Sequence, residues 1–280
     1  MERVRGVRYD RALAPLCLLA AALVCGVVAL LLWDLVQRGY GGLQPAFILG
    51  APAESGRAGG INSILVATGL ILVVGMLAAL PVGVGAAIYL AEFANAANPS
   101  VRAMQRSLDI LASVPSIVFG LVGNALFCRY LGLGFSILSG GLTLACMVLP
   151  LFIRTVEIGI RAVPTEMRHA AAALGMSKST IVLWIVLPAA MGAVINGIVL
   201  SVGRAAAETA ALVFTSGYVD RMPTALTDSG RSMSVHIYDL AMNVPGGDTN
   251  AAKTAMVLLV GLALVSGVTR RMAGMGSTKG

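Results

Sequence analysis

Six stretches of this chain run without a single charged side chain: Ala12–Trp33, Ala58–Ala91, Ile110–Cys128, Tyr130–Ile153, Ser179–Gly203 and Thr254–Thr269. They are 22, 34, 19, 24, 25 and 16 residues long. The hydrocarbon core of a bilayer is about 30 Å thick, and a helix needs about 17–25 apolar residues to cross it. The pattern predicts an all-α integral membrane protein with six transmembrane helices. The sixth run becomes long enough if Ala251 and Ala252 join it while Lys253 snorkels its ammonium to the interface. The second is longer than one crossing and contains Pro81. A helix from about Ile61 to Leu90 is expected there, with room for a kink, because intramembrane Pro is tolerated where neighbours re-satisfy the backbone.

Composition excludes the main alternatives. Charged residues make up 12% of the 280 and AVILMFWYC 58%, against roughly 25% charged in soluble domains. Polar surface is too scarce to cover a water-soluble globule. The net charge of +7 sits in short gaps between apolar runs rather than along one polar face, so no nucleic-acid partner is expected. The charge reports orientation instead. With the N-terminus inside, segments 1–11, 92–109, 154–178 and 270–280 hold 13 Lys+Arg and 6 acids, and the remainder holds 7 of each. The whole excess lies on one side, which by the positive-inside rule places both termini in the cytoplasm. The first run, preceded by Arg3, Arg5, Arg8 and Arg11, is too long for a secretory h-region of about 7–15 residues, so a retained anchor is expected. Cys17, Cys25, Cys128 and Cys146 fall within runs or at a run end and form no CxxC. They are expected to be small packing residues, with no metal site.

Between the fourth and fifth runs, Met167–Pro188 reads MRHAAAALGMSKSTIVLWIVLP. Its Ala-rich half favours helix, Gly175 permits a turn, and a second helix then enters the membrane. This stretch resembles the signature of binding-protein-dependent ABC importer permeases, which reads E-A-A, three residues, Gly, nine residues, I-x-L-P. Ala170, Ala171, Gly175, Ile185, Leu187 and Pro188 match, and His169 stands where the family carries Glu. The resemblance implies a type I ABC importer permease fold with a cytoplasmic coupling helix docked on a dimeric ATPase. The alternative is an amphipathic surface helix without a partner. His169 puts in doubt any salt bridge the usual Glu would make; it reads as a solvated polar side chain rather than a pH switch. The chain lacks GxxxxGK[ST], so ATP and Mg would be used by the partner ATPase, and this chain is expected to bind no cofactor and to be no enzyme itself.

Further blocks resemble the phosphate importer permeases: GGI at 59–61, AAIYLAEFA at 86–94, SVPSIVFGL at 113–121, the long block at 142–164, GRAAAETAALVFTSG at 203–217 and MSVHIYDLAMNVP at 233–245. They imply a phosphate permease subunit of a bacterial inner membrane, working with a second permease subunit and an extracytoplasmic phosphate-binding protein. The GGI and IYDLA blocks resemble one of the two paired permease types more than the other. A permease for sulfate, molybdate or phosphonate, or the paired subunit itself, is the alternative. The expected organisation is 1–57 for the anchor helix and first outside loop, 58–270 for the permease domain and 271–280 for a cytoplasmic tail.

Arg204 and Glu208 are the candidate substrate-path residues. The apolar stretch Ile181–Gly217 would be about 55 Å long if wholly helical, so a break is expected near Gly203. The spacing of the two would put them on one helical face. Ionisable groups flanked by apolar sequence are costly and usually face a bundle interior or water path. Arg suits phosphate because its planar fork donates paired hydrogen bonds and keeps its proton, while Glu would orient or gate it. The alternative is a self-contained ion pair that stabilises the mouth. The family has Gly before this Glu, where this chain has Ala207. Asp220, Arg221, Asp228, Arg231, His236, Asp239 and Asp248 of the last outside loop are expected to be solvated, with docking of a solute-binding protein as the alternative that the resemblance implies. A secondary transporter would carry further ion ligands in its spans, and an intramembrane enzyme a catalytic set such as HExxH or GxSxG; neither is present.

Overall fold

The computed structural model describes residues 3–95 and 97–277, with side chains from 14 to 267. Met1 and Glu2 of the expected inner segment and 278–280 of the expected tail lie outside the described residues. The helices in chain order are α1 (Arg3–Gly39), α2 (Pro45–Leu49), α3 (Asn62–Ile88), α4 (Pro99–Ser113), α5 (Ser116–Gly123), α6 (Ile137–Arg161), α7 (Thr165–Ala173), α8 (Lys178–Ile181), α9 (Leu187–Ala189), α10 (Met191–Ala206), α11 (Ala210–Val213), α12 (Met233–Met242) and α13 (Asp248–Ser277). A two-stranded antiparallel ladder, Pro52–Ala53 against Ala58–Gly59, closes the loop before α3.

Four of the helices are long and apolar enough to cross a membrane unbroken: Ala14–Leu43, Asn62–Phe93, Ile137–Arg161 and Asp248–Gly267. Among the described residues two further helix pairs, bent by 103° and 63°, are apolar enough together, so the expected six is reached when each bent pair counts as one crossing. Ile110–Cys128 is not one helix. Asn98 caps α4 by accepting from the Ser100 N–H at 3.0 Å, and the chain turns by 103° between Ser113 and Ser116. The cause is Pro115, whose ring disfavours helical backbone at the residue before it; Val114 is extended, with φ −66° and ψ 131°. The fourth crossing starts later than Tyr130. Gly132 and Gly134 take positive φ, and Ser136 then caps α6, accepting from the Ser139 N–H at 3.1 Å.

The fifth crossing bends by 63° at Ala190, just after Pro188, whose ring removes a donor and crowds the preceding turn. The break expected near Gly203 falls at the end of α10, a few residues on. Gly203 stays helical, since one Gly inside a helix costs only about 1 kcal/mol, and α10 ends at its cap residue Ala207. In α13, Lys253 sets its ammonium 5.5 Å from the centre of the Phe47 ring.

The bundle is built on α3 and α6. Gly75 and Gly141 face each other where the two helices touch: a Cβ on Gly141 would lie 2.5 Å from Val74 Cγ1, and one on Gly75 3.0 Å from the Gly141 carbonyl oxygen. Small residues at such crossings let backbones approach, which supplies the packing that hydrophobicity cannot supply within lipid. Gly141→Val is expected to cost about 1–3 kcal/mol through overpacking, seen as a lower melting temperature in detergent and a lower membrane yield. Unchanged melting would mean that the helices do not touch there. Around this pair, Ile71, Leu144, Val148, Ala205, Leu212 and Val235 form one buried cluster. A second, including Leu90, Phe152, Val156, Ile160 and Val186, lies toward the end that carries α7.

At the opposite end the loop charges are not simply solvated, contrary to expectation. Arg231 is buried, donates to the Tyr218 carbonyl at 2.8 Å and pairs with Asp239 at 3.1 Å. His236 is fully buried with its Nδ1 3.3 Å from Arg231. Burial, with Arg231 beside it, pushes the imidazole pKa down to about 4, so His236 is neutral at physiological pH.

Candidate functional site

The loop between the fourth and fifth crossings folds as the helix, turn and helix that its sequence predicts. The Ala-rich α7 stops at Leu174, and Gly175 follows at φ +79°. The Gly175 N–H reaches the Ala172 carbonyl at 2.9 Å and the Met176 N–H that of Ala171 at 3.3 Å. This is the paired bonding of a Schellman end, which needs a left-handed residue at that point. Ser177 then caps α8, its Oγ accepting from the Thr180 N–H at 3.3 Å.

The signature residues divide between two environments. His169, Ala170 and Gly175 are exposed, while Ala171 is buried against the bundle. Ile185 and Leu187 pack on the cluster around Val156 and Ile160, and Pro188 is exposed at the bend. Leu174 is 82% exposed and Met167 42%, so the loop presents two apolar side chains outward beside exposed His169. The short loop thus offers a protruding face on a base anchored by Ala171.

That anchoring depends on charges which the sequence reading left unassigned. Arg168 donates to Glu92 Oε1 at 2.7 Å and to the Ile160 carbonyl at 2.8 Å, with both side chains of the ion pair largely buried. Arg161 donates to the Leu90 carbonyl at 2.7 Å and to Glu157 at 3.0 Å. Arg154 bridges Glu157 at 3.1 Å and Asp109 of α4 at 2.7 Å. Residues 154, 157 and 161 stand at the three- and four-residue spacings that make helical neighbours. That spacing was the one readable sign of the network.

Arg204 and Glu208 are not joined as the sequence spacing suggested. Arg204 is exposed on the last turn of α10, and among the described residues no hydrogen bond or ion pair engages it. Glu208 lies beyond the helix end. Its Oε1 accepts from the Ala211 N–H at 3.3 Å, and its carbonyl accepts from Ser234. The expected shared face is lost because a four-residue spacing brings side chains together only while the helix continues.

Beside this segment lies a cleft of about 390 Å³ lined by Ile117, Thr209, Ala210, Val213, Phe214, Tyr218 and Tyr238. None of these carries a positive charge, so the cleft offers an anion no counter-charge. Arg204 lies exposed on α10, and among the described residues no ion pair neutralises it.

A bundle of long apolar helices with an anchored helix–turn–helix at one end is the architecture of a multi-pass membrane protein. Residues 79–272 match the family described as the binding-protein-dependent transport system inner membrane component, and the chain belongs to that family. Among its relatives is the probable ABC transporter permease protein YqgI of Bacillus subtilis, 29% identical over 91% of this chain and 92% of that one. The phosphate transport system permease protein PstA 2 of Mycobacterium bovis is 32% identical over 80% of this chain and 75% of its own. The fold is shared with the MetNI methionine ABC transporter in an inward-facing conformation, at TM-score 0.60 and 17% identity, covering 77% of this chain and 94% of that one.

Proposed function

We propose that this chain is a phosphate-translocating subunit of an ATP-driven importer in a bacterial inner membrane. The observation that carries the reading is Arg204: an exposed, unpaired guanidinium at the end of a bundle helix, in a chain similar to a phosphate permease. A second permease subunit completes the path by covering the Arg204 face. A dimeric ATPase, using ATP and Mg, docks on the α7–α8 turn through exposed His169, Ala170, Leu174 and Gly175. Closure of the ATPase then moves the loop, while Ile185, Leu187 and Pro188 link it to the bent fifth crossing. An extracytoplasmic phosphate-binding protein delivers the anion at the other end, and this chain holds no cofactor of its own.

In this reading both termini are cytoplasmic, 1–57 comprise the anchor and first outside loop, 58–270 the permease domain and 271–280 the tail. The guanidinium fork would donate two hydrogen bonds to a phosphate oxyanion, a geometry Lys cannot reproduce. Glu208, held by the Ala211 N–H, shapes the end of that path rather than neutralising the arginine.

Topology is tested with single cysteines in a background lacking the native four. Cysteines replacing Ser55 and Ser229 should react with an impermeant thiol reagent from outside, and one replacing Ser177 should not. Outside labelling at Ser177 would overturn the orientation and the coupling role together. The substrate is tested by uptake in proteoliposomes containing the whole complex: phosphate should accumulate with ATP, and excess sulfate should not compete. Sulfate uptake in place of phosphate would assign the chain to another oxyanion.

A further inference from the structure

The α7-side end of α3 unwinds from α-helical bonding into a π-turn over Tyr89–Phe93, closed by the Ala94 N–H on the Tyr89 carbonyl at 2.8 Å. Three cations from three successive elements of the α6–α8 segment converge on this one turn. Arg161, at the end of α6, holds the Leu90 carbonyl at 2.7 Å. Arg168, in α7, holds the Glu92 carboxylate at 2.7 Å. Lys178, opening α8, lies 4.9 Å from the centre of the Phe93 ring. π-Helical turns are rare and are frequently found at functional sites.

The three contacts differ in what they can transmit. The Lys178 contact joins an exposed cation to a half-exposed ring, where water weakens a cation–π attraction. Arg161 belongs to α6, which already packs along α3, so it adds no new connection. Arg168 is the exception, because its ion pair with Glu92 is largely buried and spans two elements of different crossings. The same guanidinium also donates to the Ile160, Val163 and Pro164 carbonyls, which fixes its position at the base of α7.

We infer that Arg168 is a positioning residue that binds the coupling helix to the π-turn of α3, so that a displacement of α7 turns α3 as well as the fifth crossing. The inference rests on the importer reading and adds a second route by which ATPase closure reaches the bundle core. A buried pair is the physical form such a link requires, since a solvent-exposed pair, weakened by water and salt, would part under load. Removing one partner would also leave the other charge buried and alone, which resists opening.

The test uses the assembled complex with Glu92→Cys and Arg168→Cys combined, native cysteines replaced, and a short reducible bis-thiosulfonate bridging the two new thiols. Bridged complex should import phosphate. The same sample after reduction should keep hydrolysing ATP while uptake per ATP falls about tenfold, inside the range usual for coupling free energies. Comparing one sample before and after reduction removes folding as an explanation. Equal uptake per ATP in both states would overturn the inference, as would a bridge that abolishes uptake, since the contact would then have to open in each cycle. A readout independent of substrate accompanies it. Vanadate trapping of the ATPase should change the labelling rate of a cysteine replacing exposed Leu77 on α3 in the bridged form and not in the reduced form. If the substrate reading is wrong, even the unmutated complex will not import phosphate, yet the Leu77 readout will still separate the two forms.

Discussion

Arg204→Gln is expected to reduce phosphate uptake about 100-fold or more, since a hydrogen bond to a charged group is worth about 1.5–3 kcal/mol and Arg would make two. Among the described residues the arginine has no hydrogen-bond or ion-pair partner, so its removal should break no such contact, and membrane abundance and ATPase assembly should stay level. Arg204→Lys keeps the charge without the planar fork and should recover only part of the uptake. Glu208→Gln answers a different question, because the amide oxygen can still accept from the Ala211 N–H. If Glu208 only caps that turn, uptake and abundance both survive; if its charge gates the path, uptake alone falls. Normal uptake by Arg204→Gln at unchanged abundance would remove Arg204 from the path.

Gly175→Val is expected to separate ATP hydrolysis from transport. At φ +79° a left-handed residue with a side chain costs roughly 1–2 kcal/mol, and β-branched ones tolerate the region worst. Space is not the obstacle, because a Cβ there would meet no atom within 4 Å. The cost can be relieved only by re-forming the turn, which would move α7 relative to α8. Uptake should therefore fall about tenfold, in line with that cost, while the protein still inserts and binds its ATPase. Gly175→Asn is the control, since Asn enters the left-handed region more readily and should retain most transport. If Val and Asn behave alike, the Schellman geometry is not what coupling uses.

The apolar runs predicted where most of the membrane helices lie, because a charge-free stretch of bilayer length has few other stable places to be. They did not predict where the helices break. Pro115 and Pro188 were visible, but a proline ends one helix and only kinks another; the outcome depends on what re-satisfies the backbone, which is a tertiary matter. The turn at Gly175 was legible because its requirement is local. The network of Glu92, Asp109, Arg154, Glu157, Arg161 and Arg168 was not, since its pairs join residues up to 76 positions apart. The same limit applied to Arg204 and Glu208, whose spacing carried meaning only on a helix that ends between them.

The contrast between α1 and α6 bears on how the chain reaches its folded state. In the apolar part of α1 nothing is buried by protein, and it is the more hydrophobic of the two; two-thirds of the α6 segment is buried, including Ser139, Thr143 and Glu157. The insertion machinery judges each segment by its transfer energy into lipid, where a charged residue at the helix centre costs about 2.5–3.5 kcal/mol. By that measure α1 can partition into the bilayer unaided as soon as it is synthesised. Segment α6 satisfies Ser139, Thr143 and Glu157 through bonds to its own helix and the residues just before it, but it is less apolar than α1 and mostly covered by neighbouring helices, so its packing is complete only once α3 stands beside it. Assembly thus has an order written into burial: a self-sufficient first helix held by lipid, then a core whose central member finds its packing partners only in company.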